Sequence, residues 1–444
     1  MTKARGNVLP EGRDKMSRRV VITGLGCVTP VGTGAKSAWE SVREGRSGVG
    51  PIRQFDASGF PTTFAAEVPS FNLSDWVSPD VVRSLDRSGL NVQFGLAAAV
   101  QAVQDSGLDV AAIPDRTRFG VYLGSGEGNQ DFDVFMGLVA DNGNAGDPWN
   151  MDLFTAQALQ RMHYDAERFL EPNVLSGRVA GMFGAEGPCA NTLTACAASA
   201  QAIGEGSDFI RTGLADIMIV GGAHSMIHPY GITGFSLLTA LSRRNDNPQA
   251  ASRPFDNERD GFVIAEGGAM LVIEEYEHAR KRGAKIYGEI LGYGVACDAY
   301  RITDIPPDGN GMTRAIGMAL KNANMNIDDI SYINAHGTST DANDRTETLA
   351  VKGAFGEQAY KIPMSSTKSM TGHLVAACGA LEAIFCVNAL AENTVPPTIN
   401  HEHPDPDCDL DYIPNVARAV SLNAVMSNNS GFGGQNVSLI FTRV

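Results

Sequence analysis

Short apolar runs alternate with helix-patterned segments along almost the whole chain, and that alternation restricts the fold to α/β layering. Strand-like runs cover 19–24, 119–123, 217–221, 269–273, 288–293 and 331–335. Helical patterns cover 91–104, 196–211, 311–322 and 374–391. Runs apolar on both faces belong to a sheet covered by helices on both sides. The composition agrees, with 49 glycines for tight turns and only 7% aromatic residues among 444.

Two halves are expected, 18–275 and 276–444. Each carries a reactive-looking residue where a strand runs into a turn: Cys196 in the first, His336 and His373 in the second. Sequence repetition between the halves is too weak to see. Residues 1–17 are set off from both halves. The polar, patternless segment 1–15 reads as a flexible extension, or as the result of a misplaced start with Met16 as the true first residue. The stretch 129–172, with Trp149 and Tyr164, breaks the regularity and reads as a partly helical excursion. Excursions of that length usually serve function or assembly.

The net charge of −15 argues against a nucleic-acid or anionic-membrane binder. It leaves room for an acidic protein partner on a local basic patch. Seven cysteines are scattered without a C-x-x-C pair, so neither a zinc ribbon nor a thioredoxin-type couple is supported. With no secretory signal, they fit a reducing cytoplasm. No apolar run reaches the length of a membrane span. His401-Glu402-His403, beside Asp405 and Asp407, reads as a Pro-rich loop and not as a metal site. The dinucleotide fingerprint G-x-G-x-x-G is absent.

Three stretches carry chemistry. In the first, Thr194-Ala195-Cys196 opens a small-residue helix. A thiol at a helix N-terminus faces the positive end of the dipole, which is expected to lower its pKa. The plainer reading is a small buried core cysteine. In the second, a strand delivers His336 to Gly337-Thr338-Ser339-Thr340. There it can donate a hydrogen bond to an oxygen gaining charge, or simply satisfy a neighbouring carbonyl. In the third, Lys368 and His373 flank Gly372 ahead of another small-residue helix, and Glu347 is the candidate partner for Lys368. The plainer reading is a surface lysine and a capping histidine. The turn Gly431-Phe432-Gly433-Gly434 is suited to presenting backbone N–H groups.

These strings resemble the β-ketoacyl-acyl-carrier-protein synthase II group of the thiolase superfamily, from about Arg18 to Val444. The opening run RVVITGLGCVTPVG from Arg19, and the segment from Ser252-Arg253-Pro254-Phe255-Asp256 to Glu266-Gly267, match the family's pattern. Thr-Ala-Cys, His-Gly-Thr-Ser-Thr, Lys-Ser-x-x-Gly-His and Gly-Phe-Gly-Gly follow in the expected order. The resemblance implies a thiolase-like, five-layered αβαβα fold of two similar halves, usually a homodimer. It implies an acyltransferase of fatty-acid or polyketide synthesis. Cys196 would hold the acyl thioester, while His336 and His373 would assist malonyl decarboxylation. Lys368 and Glu347 would set the geometry and electrostatics of the histidines. The N–H groups of Cys196 and Phe432 would form an oxyanion hole. Thr338 and Thr340 would bind the phosphopantetheine arm, with Thr303 nearby. No bound cofactor or metal is implied, because substrates arrive on the phosphopantetheine of acyl carrier protein. Arg83 and Arg87 are candidate carrier contacts.

The sequence also departs from the pattern. Glu127 stands where an apolar residue usually lines the acyl pocket, Ser430 where a gating Phe is usual, and Arg301 where His is common. The segment between Gly124 and Cys196 is about a dozen residues longer than usual. A carboxylate against an alkyl chain is costly unless paired or protonated. A specialised acyl pocket is one expectation, and a Glu127–Arg301 pair with ordinary substrates is the other. A non-catalytic chain-length-factor-like scaffold and an acyl-thioester hydrolase are the rival functions.

Overall fold

The computed structural model describes residues 18–126, 128, 131–143 and 148–444. The N-terminal extension and Glu127 therefore lie outside the described residues. Ten strands build the frame. In the first half they are β1 (Val20–Thr29), β2 (Phe119–Ser125), β3 (Cys189–Thr192), β4 (Ile217–His224) and β5 (Gly267–Glu275). In the second they are β6 (Gly288–Cys297), β7 (Ile330–Asn334), β8 (Met364–Ser365), β9 (Ala424–Gly431) and β10 (Gln435–Thr442).

The first five pair in the order β3-β2-β4-β5-β1 and the second five in the order β8-β7-β9-β10-β6. Directions match as well. β2 is parallel to β3 and β4, as β7 is to β8 and β9, and the remaining pairings of both halves are antiparallel. The duplication that is invisible in the residues is thus written in the strand order. The two sheets touch edge to edge through Val21 opposite Glu289 and Ile22 opposite Gly288.

Six helices repeat the same scheme: α1 (Leu90–Ser106), α2 (Val174–Phe183), α3 (Ala198–Arg211), α4 (Asn310–Ala323), α5 (Asp341–Phe355) and α6 (Cys378–Glu392). The small-residue helices α3 and α6 pack on each other between the sheets. A Cβ on Gly379 would sit 2.6 Å from the Ala200 nitrogen, so the crossing requires a bare backbone there. α1 covers β1 and β5 from one outer side, and α4 covers β6 and β10 from the other. Three apolar clusters fill the spaces between layers, giving the αβαβα sandwich.

The expectation that no apolar run reaches a membrane span needs correction. Val375–Glu392 is 18 residues long with a mean hydropathy of 1.6, and 83% of it is buried. It is apolar because protein surrounds most of it, as a central-layer helix requires. The excursion after β2 holds the helices Phe132–Asn142, Met151–Arg161 and Tyr164–Arg168. Asp131 and Asn150 cap the first two by accepting from backbone N–H groups. Topologically it replaces the short loop that, between β7 and α5, carries His336.

Candidate active site

Cys196 lies in a 3₁₀ turn, Ala195–Ala197, immediately before α3. Ala195 adopts a left-handed backbone, φ 48°, which turns the chain out of β3 and into the helix. The end of β9 closes over this turn at Gly431, where a Cβ would meet the Thr194 carbonyl oxygen at 2.7 Å. That approach brings the Phe432 and Cys196 N–H groups to the sulfur. The expected depression of the thiol pKa does not follow. Burial pushes the Cys196 thiol up to about 11, outweighing the nearby Lys368 charge and the two N–H groups. The sulfur precedes the α-helix proper and the residue is 8% exposed, so lost hydration dominates the dipole.

His373 lies in the matching segment of the second half, two residues ahead of the 3₁₀ turn Val375–Ala377 that corresponds to Ala195–Ala197. Its N–H donates to the Val263 carbonyl at 2.7 Å, and its own carbonyl accepts from Ala265 at 3.0 Å. The Ser252–Gly267 segment thus pins it just ahead of β5. Its Nε2 stands 3.1 Å from Cys196 Sγ. Its Nδ1 accepts the Val375 N–H at 3.3 Å and lies 3.0 Å from Cys378 Sγ. A backbone amide can only donate, so the ring proton sits on Nε2. His336 is 3% exposed, with its ring edge-on to His373 at 5.5 Å. Burial, and then the Lys368 charge, hold both histidines well below their usual range. Both are neutral imidazoles near pH 7.

Lys368 does not pair with Glu347. Its ammonium bonds Glu382 on α6, and the other Glu382 oxygen accepts from Asn429 Nδ2 at 2.6 Å. Glu347 instead accepts the His336 and Gly337 N–H groups, each at 2.8 Å. It clamps the histidine turn, and burial raises its carboxyl to about 7 against those two donors. Glu382 is the functional residue that sequence reasoning missed. Its signal was present: a single acid inside the apolar run CGALEAIFC.

A cavity of about 520 Å³ opens onto Cys196, His336 and His373. Thr338, Thr340 and Thr303 line a polar side with Asp260 and Asp341, and the Thr338 and Thr340 hydroxyls share a 2.9 Å hydrogen bond. Phe235, Leu238, Ala240, Phe262 and Val375 form the apolar side. Ser430 and Phe432 are on the wall, with the Ser430 hydroxyl donating to Asn436 at 2.6 Å. Arg301 is a correction: it is exposed, pairs with Asp304 at 2.8 Å and is not on the wall. Beneath the threonine loop, buried Asp344 accepts from Ser339 and Phe255, and Arg259 bonds Asp405 at 2.6 Å. The His401–His403 loop belongs to this network, since Asp256 accepts the Glu402 and His403 N–H groups at 2.7 and 2.6 Å. Arg83 and Arg87 are exposed, and Arg83 pairs with Asp80.

Comparison with known proteins agrees with this geometry. Residues 17–279 match the family described as Beta-ketoacyl synthase, N-terminal domain, and residues 287–402 match its C-terminal domain. The chain is 44% identical over 428 residues to the 3-oxoacyl-[acyl-carrier-protein] synthase 2 of Synechocystis, covering 96% of this chain and 98% of that one. It is 43% identical to a putative polyketide beta-ketoacyl synthase 1 of Streptomyces cyaneus, covering 96% and 98%. Among solved structures, it is similar to a type II polyketide ketosynthase in complex with its acyl-carrier protein, at a TM-score of 0.84 and 38% identity, covering 97% of this chain and 100% of that one. A beta-ketoacyl synthase from Burkholderia phymatum gives a TM-score of 0.85 at 36% identity, covering 96% and 100%.

Proposed function

We propose that Cys196 carries the acyl group in this chain, which belongs to the β-ketoacyl synthase family and is a β-ketoacyl-acyl-carrier-protein synthase, a condensing acyltransferase. The observation that supports this role is the contact between Cys196 Sγ and the protonated Nε2 of a neutral His373.

The reaction divides into two steps. In the first, Cys196 sulfur attacks the acyl thioester, and its proton ends on the departing phosphopantetheine thiol. The N–H groups of Cys196 and Phe432 receive the oxyanion. A thiol exchanges for a thiol, so a resting pKa of about 11 is no obstacle to the balance. In the second, the malonyl carboxylate leaves as carbon dioxide, and the electron pair of the broken bond becomes the enolate. His373 Nε2–H and the ring N–H of His336 donate to the enolate oxygen. The carbanion then attacks the Cys196 thioester, forming the new carbon–carbon bond and releasing the cysteine as a thiolate, which takes up a proton from solvent. Decarboxylation creates the carbanion, so no strong base is required at carbon. Burial, and then the charge of Lys368 held by Glu382, keep the histidines neutral, and Glu347 fixes the His336 turn.

The partner reading follows from the cavity. Its polar threonine side fits a phosphopantetheine arm delivered by acyl carrier protein, with exposed Arg83 and Arg87 as candidate carrier contacts. A homodimer is supported by β3, which ends its sheet with Cys189 exposed and one side unpaired among the described residues. Seven unpaired cysteines favour a reducing cytoplasm. Units 18–275 and 276–444 are assigned as the two thiolase-like halves, following the extension 1–17.

The test is intact-mass analysis after incubation with acyl-carrier thioesters and malonyl-carrier. Acylation of Cys196 followed by a β-keto product two carbons longer supports the synthase. Free acid alone supports a hydrolase, and no acylation supports a scaffold. Cys196→Ala should lose acylation while still decarboxylating malonyl-carrier, because both imidazoles remain.

A further inference from the structure

The turn that carries Cys196 has an equivalent in the second half, Val375–Ala377, two residues after His373. Each begins with a left-handed residue, Ala195 at φ 48° and Val375 at φ 47°, followed by a 3₁₀ turn and a central helix. Left-handed backbone is an outlier for a β-branched side chain. Ala195 shows that the turn does not call for bulk. The Val375 N–H that reaches His373 would be kept by any residue other than proline. The two extra methyl carbons of Val375 therefore serve something other than the turn.

What they touch is the acyl side of the site. Val375 is 7% exposed and belongs to the apolar cluster that contains Cys196. It also lines the cavity together with Phe262 and Ala240. We propose that the Val375 side chain is a specificity-determining wedge that shortens the apolar pocket next to Cys196 and limits the length of acyl chain this synthase accepts. The strained backbone persists because the surrounding packing over-determines it, the pattern expected where strain has a functional use. The inference rests on Cys196 as the acyl carrier.

The experiment compares wild type, Val375→Gly and Val375→Ala with hexanoyl- and hexadecanoyl-acyl carrier protein. Initial rates of Cys196 acylation are read by intact mass. The hexadecanoyl-to-hexanoyl rate ratio should rise about tenfold in the glycine variant, since even one methylene of pocket space is worth that much discrimination, and by less in the alanine variant. The glycine variant gains from relief at this φ and loses from the emptied apolar volume, so its melting temperature should stay within about a few degrees of wild type. An unchanged ratio in both variants overturns the proposal, and a lowered melting temperature alongside it would show that Val375 only fills the core. If wild type is acylated at Cys196 by neither carrier, the nucleophile assignment fails first and the wedge falls with it.

Discussion

His373 meets Cys196 through Nε2 at 3.1 Å, and it meets it as a donor, because its Nδ1 is already committed to the Val375 N–H. The histidine is thus set to support negative charge at the sulfur and then at a substrate oxygen. It is not set to strip the thiol of its proton at rest.

That arrangement has a titration signature. With the thiol held up to about 11 by burial, alkylation of Cys196 by iodoacetamide should keep accelerating by about tenfold per pH unit between pH 7 and 9. A plateau already reached at pH 7 would indicate a resting thiolate and contradict this environment.

Cys378 is the second thiol on the same ring, 3.0 Å from Nδ1. Burial raises its pKa well above the usual range, so it stays protonated and donates. Cys378→Ala should lower kcat about fivefold, the worth of one buried hydrogen bond expressed as rate, and Cys378→Ser should restore most of it. Equal kcat in wild type and the alanine variant would remove Cys378 from the positioning set.

Lys368 and Glu382 are 1% and 2% exposed, so neither tolerates losing the other. Lys368→Met should destabilise the fold by about 3–5 kcal/mol, measured as a shift in urea midpoint. Adding Glu382→Leu should recover much of that, because an uncompensated buried carboxylate costs more than an apolar pair.

Glu274 gives the clearest acid limb. Burial raises its pKa, but hydrogen bonds from Arg282, His278 and Thr23 win and bring it to about 2. The unfolded value is near 4.3, so the folded value is depressed. The contribution, about 3 kcal/mol, is present above pH ~4.5 and fades as pH falls toward 2. The stability gap between wild type and Glu274→Gln should narrow as pH drops from 7 to 3.5, and a constant gap would refute the linkage.

From the sequence alone came the layering and the order of the chemical strings, and the family those strings resemble singled out Cys196, His336 and His373. Each depends on local pattern: apolar period, small residues at a helix start, glycine beside a histidine. What depends on packing was decided only by the tertiary structure. Glu347 and Glu382 are equally plausible carboxylates for Lys368 in a string, 21 and 14 residues away. Only the fold uses the first for the His336 turn and carries the second into the centre with the lysine. The thiol pKa likewise turned on how much water the surrounding layers remove, which no helix-start rule encodes. The duplication itself resides in strand order and direction. Those are properties of pairing between distant segments, and residues can drift apart while the pairing stays.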